Sequence, residues 1–145
     1  MGTRSLTFVY DSSNSDDGTT NEAIMCIYRQ YDGYPSGHGH ELAQFLGSKT
    51  LVNGFGGVDL EVEANGMSCL AAQLVVQLKH GVGGIYIYAP VLGRDYSQDY
   101  EYHVYDDKVI VQDCSYGYDS GHNQVIFDGT WEDFAQFCLD PISAE

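Results

Sequence analysis

An apolar stripe with the period of a helix, between Met67 and Leu78, constrains the fold more than any other feature of this sequence. Gly81 stops the stripe, whose members recur at intervals of three and four residues: Met67, Leu70, Ala71, Leu74, Val75 and Leu78. Residues at this spacing share one face of an α-helix, and so apolar a face must be buried against another element. The sequence therefore predicts a core helix that begins at Asn65 or Ser68.

Short segments that alternate apolar and polar residues supply a surface for this helix to cover. Such alternation, bounded by glycine and aspartate turns, is typical of β-strands. It occurs at residues 4–10, 22–30, 84–89, 100–106, 108–114 and 125–127. The polar stretch 11–21 predicts one hairpin and the pair Asp106 and Asp107 another, and a further short strand is expected around Val58 to Val62.

Two more helices complete the predicted elements. Leu42, Phe45 and Leu46 recur at helical spacing before Gly47, and Thr130 stands where its hydroxyl caps a final helix. The resulting order is ββα-α-ββββα. Consecutive strands at hairpin spacing indicate an antiparallel sheet. We therefore predict an α+β fold in one domain over residues 1–145, a two-layer sandwich in which two to three helices cover about five to six strands.

Charge and composition exclude several classes of partner. The 145 residues hold 6 Lys and Arg against 21 Asp and Glu, a formal net charge of −15, which repels nucleic acids and anionic membranes. No run approaches the roughly 18 apolar residues of a membrane span, and the first residues lack the core of a signal peptide. The cysteines are far apart and form no C-x-x-C pair: Cys26, Cys69, Cys114 and Cys138. These features predict a cytoplasmic protein with reduced thiols.

The run YRQYDGYPSGHGHEL, residues 28–42, is the most unusual local chemistry in the chain. It joins a predicted strand to a predicted helix, and three glycines within it remove side chains where the backbone turns. If the first amides of that helix are left without partners, they attract an anion. The alternative is a structural turn, because Asp-Gly and Tyr-Pro are common turn sequences.

Side chains of the same run suit a ligand that is anionic or planar. Arg29 offers a fork for a carboxylate or phosphate, and Tyr31 and Tyr34 offer rings that stack on a planar group. We predict a non-enzymatic domain that binds a small nucleotide-like molecule, within one chain or between the subunits of a homodimer. The predicted ligand-binding residues are Arg29, Tyr31, Asp32, Gly33, Tyr34, Ser36, Gly37, His38, Gly39 and His40.

Two other functions stay open at this stage. The first is a small hydrolase or transferase in which His38 or His40 acts as general base and Asp32 orients it. The second is a protein-protein adaptor that uses the alternating tyrosines of GIYIY and YEYHVYD. The H-x-H pair resembles part of a metal site, but the remaining histidines are remote, so no metal and no cofactor is predicted.

The run YRQYDGYPSGHGHELAQFL also resembles a signature of small uncharacterised proteins of bacteria and their phages. In these proteins an aromatic-Asp-Gly-Tyr-Pro-x-Gly-x-Gly loop leads into a helix. The segments NGMSCLAAQL, GGIYIY and YEYHVY extend the likeness over most of the chain. The family has no assigned activity, so the resemblance implies no catalytic residues. It implies a phage-associated role, such as host takeover or sequestration of a nucleotide signal.

Overall fold

The computed structural model describes residues 2–11, 23–52, 62–115 and 123–139. Within these residues the helices are α1 (His40–Gly47), α2 (Gly66–Leu78) and α3 (Trp131–Leu139), and a π-helical turn, Pro35–Gly39, leads into α1. The strands are β1 (Ser5–Tyr10), β2 (Ala23–Arg29), β3 (Thr50–Val52), β4 (Glu63–Asn65), β5 (Ile85–Tyr88), β6 (Tyr100–Val104), β7 (Val109–Asp113) and β8 (Gln124–Gly129). The predicted strand around Val58 to Val62 and the predicted loop 11–21 lie largely outside the described residues.

Six of these strands form one sheet in the order β5-β2-β1-β6-β7-β8, and β3 pairs with β4 in a separate small sheet. The α+β sandwich is confirmed. The prediction that the sheet is antiparallel throughout is wrong at its centre, because β1 and β6 run parallel. Hairpin spacing reports only the pairing of consecutive strands, whereas β1 and β6 are far apart in sequence and pair directly at the centre of the sheet.

The three helices cover the first face of this sheet. The core between the two layers contains Leu42 and Phe45 of α1, Leu70 and Leu74 of α2, and Phe134 of α3. From the sheet it takes Val9, Ile27, Tyr102, Val104 and Val111. The predicted stripe is therefore the buried face of α2, and Thr130 caps α3 as predicted, since its hydroxyl accepts the Asp133 amide at 3.1 Å.

The second face of the sheet is also buried along β1, β2 and β6, and there it is aromatic and polar. Leu6, Phe8, Tyr10, Cys26 and Tyr28 form its apolar cluster. Beside them lies a chain of hydrogen bonds. The Gln98 amide donates to one oxygen of Glu101, whose other oxygen lies 3.2 Å from His103 Nε2, and the Tyr10 hydroxyl lies 2.7 Å from His103 Nδ1. Each of these four side chains has a hydrogen-bond partner, which offsets the cost of burying polar groups on this face.

Candidate functional site

In the turn before α1, backbone carbonyl groups accept hydrogen bonds from the amides at the start of the helical segment. His38 N–H donates to the Asp32 carbonyl at 2.7 Å, and the amides of Gly37 and Gly39 donate to the Tyr34 carbonyl at 3.0 and 3.4 Å. The prediction that bare amides at this helix start bind an anion is therefore wrong. Pro35 starts a π-helical turn, which folds these N–H groups back onto the preceding loop.

The glycines of the turn are explained by close packing. A Cβ at Gly33 would lie 2.8 Å from the Ser5 Cβ, and a Cβ at Gly37 would lie 2.6 Å from the Asp32 carbonyl oxygen. The Gly33 carbonyl also accepts the buried Tyr102 hydroxyl at 2.7 Å. These contacts leave no room for side chains, so the glycines fix the loop on the sheet.

His38 is enclosed by the fold, whereas His40, two residues later, is partly exposed. The ring of His38 lies edge-on to Tyr102, its Nε2 is 2.6 Å from the Thr7 hydroxyl and its Nδ1 is 3.2 Å from Arg29 Nη1. Because a guanidinium only donates hydrogen bonds, Nδ1 is the acceptor and Nε2 carries the proton. Burial, with a smaller contribution from the charge of Arg29, lowers the pKa of His38 to about 3, so the ring is neutral.

Arg29 is held by His38 on one side and points its remaining donors outward. Its Nε donates to the Tyr31 carbonyl at 2.9 Å, and its side chain is 15% exposed. Nη1 and Nη2 lie 2.6 and 3.4 Å from the two carboxylate oxygens of Glu41, which is 51% exposed. A chain of contacts thus runs from Thr7 through His38 to Arg29, and it fixes the guanidinium at the edge of the core.

A hollow of about 200 Å³ lies beside this guanidinium. Its apolar walls are Leu78 and Ile85, and Gly83 and Gly84, both with positive φ, pass along it without side chains. Lys79 lies next to it, since its ammonium group donates to the carbonyls of Gly83 and Ile85 at 3.0 and 2.9 Å. The remaining lining residues are Arg29, Tyr31, Asp32 and His80.

A second hollow of about 410 Å³ lies against α1 and the end of α2. It shares Leu78 and His80 with the first hollow, so the two are neighbours. Glu41 lines the second hollow as Arg29 lines the first, and their ion pair connects the two walls. The other residues of the second hollow are Gln44, Phe45, Ser48 and Gln77.

The structure brings together only part of the predicted site. Arg29, Tyr31 and Asp32 line the first hollow. The other predicted ligand-binding residues line neither hollow: Gly33, Tyr34, Ser36, Gly37, His38, Gly39 and His40. Sequence reasoning missed Glu41, His80 and the pair Gly83 and Gly84. The run KHGVGG directly after the α2 stripe was the available signal, because clustered glycines mark a backbone that takes positive φ.

Two properties of the described residues bear on the class of site. None of the helices there is long and apolar enough to cross a membrane. No group of three or more histidine, cysteine or acidic side chains in the same part of the chain is arranged to hold a metal ion.

Comparison with protein families, with curated proteins and with solved structures finds no match for this chain. The resemblance to small bacterial and phage proteins is not tested by these comparisons and stays a prediction.

Proposed function

We propose that this protein is a binding domain for a small anion with a planar body, which it holds in the hollow beside Arg29. The observation that carries the proposal is the fixed guanidinium. His38 and the Tyr31 carbonyl hold Arg29 on its buried side, its outer nitrogens contact Glu41, and Arg29 lines a hollow with apolar walls. A charged group that is oriented before its ligand arrives loses little conformational entropy on binding.

The size of the hollow supports a small ligand. An apolar cavity of about 150 Å³ holds benzene, so the hollow of about 200 Å³ has room for one six-membered ring and a charged substituent. The ring of Tyr31 is 54% exposed and stands at the rim, where it can pack on a planar group. A whole nucleotide would need the second hollow as well.

The charges around the hollow also support an anion, although the chain as a whole is acidic. No Asp or Glu occurs between Glu63 and Asp95, and this stretch supplies Leu78, His80 and residues 83–85 of the lining. Lys79 adds a positive charge at the same place. Among the lining residues of the two hollows the carboxylates are Asp32 and Glu41, and residues 78–85 contribute none to repel an anion.

Binding is favoured over the hydrolase alternative by the position of the histidines. His38 is fully enclosed and its pKa of about 3 leaves it a weak base, and His40 lines neither hollow. A cytoplasmic location remains part of the proposal and is supported by the cysteines. All four are free, and burial raises the pKa of Cys26, Cys114 and Cys138 to about 12, which suits stable reduced thiols.

The proposal is tested by titrating the ¹⁵N-labelled full-length chain with benzoate, phenyl phosphate and the neutral benzamide. The anions are expected to shift the amide signals of Gly83, Gly84 and Ile85, and benzamide is not. Arg29→Lys keeps the charge but loses the fork, so it should weaken anion binding by about tenfold or more.

Arg94→Lys is the matched control, because Arg94 is exposed and lies outside the hollow. Melting temperatures check that Arg29→Lys is folded. If Arg29→Lys is not folded, Tyr31→Ala, at the exposed rim of the hollow, is used as the test variant. Equal affinities for benzoate and benzamide, or no saturable shift with either anion, would contradict the proposal.

A further inference from the structure

Glu41 is the replaceable member of its ion pair with Arg29. Arg29 is 15% exposed and has two further partners, the Tyr31 carbonyl and His38, whereas the Glu41 side chain is 51% exposed in the first turn of α1. Both oxygens of Glu41 face the guanidinium, at 2.6 and 3.4 Å. The carboxylate therefore occupies the donors that an anionic ligand needs.

We propose that the ligand is a carboxylate and that it takes the place of the Glu41 side chain on Arg29. This inference rests on the proposed function and adds the ligand's chemical class and its competitor. Two parallel N–H donors of a guanidinium match the two oxygens of a planar carboxylate. The protein already fills this position with a carboxylate of its own, which shows that the fork is accessible in that geometry.

Replacement of Glu41 by a ligand carboxylate has a structural consequence, because the ion pair between Arg29 and Glu41 lies between the two hollows. Arg29 lines the first hollow, Glu41 lines the second, and Leu78 and His80 line both. A ligand carboxylate that displaces Glu41 keeps its ring between Leu78 and Ile85 and frees Glu41 to move toward solvent. The second hollow then becomes open to any polar extension of the ligand, where Gln44, Ser48 and Gln77 offer hydrogen-bonding groups.

Competition from Glu41 should be weak. Ion pairs with an exposed partner contribute little, so displacing this one costs a ligand about fivefold in affinity or less. Glu41→Ala is therefore expected to bind benzoate about threefold to fivefold more tightly than the wild type. Glu132→Ala is the matched control, because it removes one exposed carboxylate in the first turn of another helix, α3.

The experiment measures benzoate and phenyl phosphate affinities by isothermal titration calorimetry for the wild type, Glu41→Ala and Glu132→Ala. The inference expects benzoate to bind the wild type more tightly than phenyl phosphate does, and to gain affinity only in Glu41→Ala. Tighter binding of phenyl phosphate in the wild type would overturn the assignment to carboxylates.

Two other results separate this inference from the proposed function. If the wild type binds benzoate through Arg29 but Glu41→Ala binds it no more tightly than Glu132→Ala does, the competition is overturned and the proposed function stands. If neither anion binds the wild type or Glu41→Ala, both are overturned.

Discussion

At the scale of single residues, His38 connects the core to the candidate site. It receives a hydrogen bond from Arg29 and donates one to Thr7. The contact with Arg29 depends on a neutral ring, and the ring is fully enclosed. A lysine or a protonated histidine at this position would place a second cation against the guanidinium. The residue is therefore a positioning group for Arg29.

Removing the His38 ring should be costly. His38→Ala leaves a cavity and takes the partner from the buried Thr7 hydroxyl, so we expect the free energy of unfolding to fall by about 2–4 kcal/mol. His40→Ala, at a partly exposed position, should cost less than about 1 kcal/mol. Urea denaturation of both variants measures these values, and equal losses would show that His38 has no special place in the core.

The pKa of His38 predicts how stability depends on pH. The folded pKa of about 3 lies below the ordinary value of 6.5, so between these values the unfolded chain binds a proton that the folded chain excludes. Stability is complete above pH 6.5 and is lost as the pH falls toward 3, by about 1.4 kcal/mol per pH unit. From pH 7 to pH 5 the wild type should therefore lose about 2 kcal/mol more than His38→Gln. Parallel losses in the two proteins would contradict the assignment of a neutral buried ring.

At the scale of elements, the turn Pro35–Gly39 and helix α1 hold the site in place. The turn ties Asp32, Tyr34 and His38 together through backbone hydrogen bonds, and α1 then presents Glu41 to Arg29. The geometry of the ion pair is thus set by a turn that has no room for side chains at its glycines.

Two glycines in this part of the fold, one in the turn and one at the end of α1, should respond differently to alanine. Gly37→Ala places a methyl group 2.6 Å from the Asp32 carbonyl oxygen, and we expect a loss of about 1–3 kcal/mol. Gly47, at the end of α1, has no atom within 4 Å of an added Cβ, so Gly47→Ala should be neutral or stabilising by up to about 1 kcal/mol. Thermal denaturation followed by circular dichroism compares them. A stable Gly37→Ala would show that the turn has room to adjust.

At the scale of the whole molecule, local patterns predicted the elements better than their arrangement. The α2 stripe and the alternation in β5, β6 and β7 are local properties, and the structure confirms them. The parallel pairing of β1 with β6 joins residues about ninety-five apart, such as Ser5 and Tyr100, and no short-range pattern reports it.

The candidate site was likewise predictable only where its residues are close together in the sequence. Arg29, Tyr31 and Asp32 can be predicted because they lie close together in one short run, at the end of a strand and in the loop after it. Leu78, His80, Gly83 and Gly84 reach the same hollow from the end of α2 and the connection that follows it, and only the fold brings them there. The burial of His38 could not be predicted either, since two histidines that are two residues apart look equivalent in a sequence but have different surroundings in a turn.

The net charge of −15 makes a prediction for the molecule as a whole. Like charges repel more strongly in the compact state, and salt screens them. Raising the salt concentration from about 10 mM to about 1 M shortens the Debye length from about 30 Å to about 3 Å. The midpoint of urea denaturation should therefore rise with sodium chloride. A midpoint that falls would indicate that attractive ion pairs outweigh the repulsion.

The central claim is that Arg29, fixed by His38, is the anchor for a ligand carboxylate, and a crystal structure of the full-length chain grown with benzoate tests it most directly. The account predicts the benzoate ring between Leu78 and Ile85, its carboxylate within hydrogen-bonding distance of the Arg29 guanidinium, and Glu41 turned away from that guanidinium. Benzoate bound elsewhere, or an empty hollow with the ion pair between Arg29 and Glu41 unchanged at saturating benzoate, would contradict it.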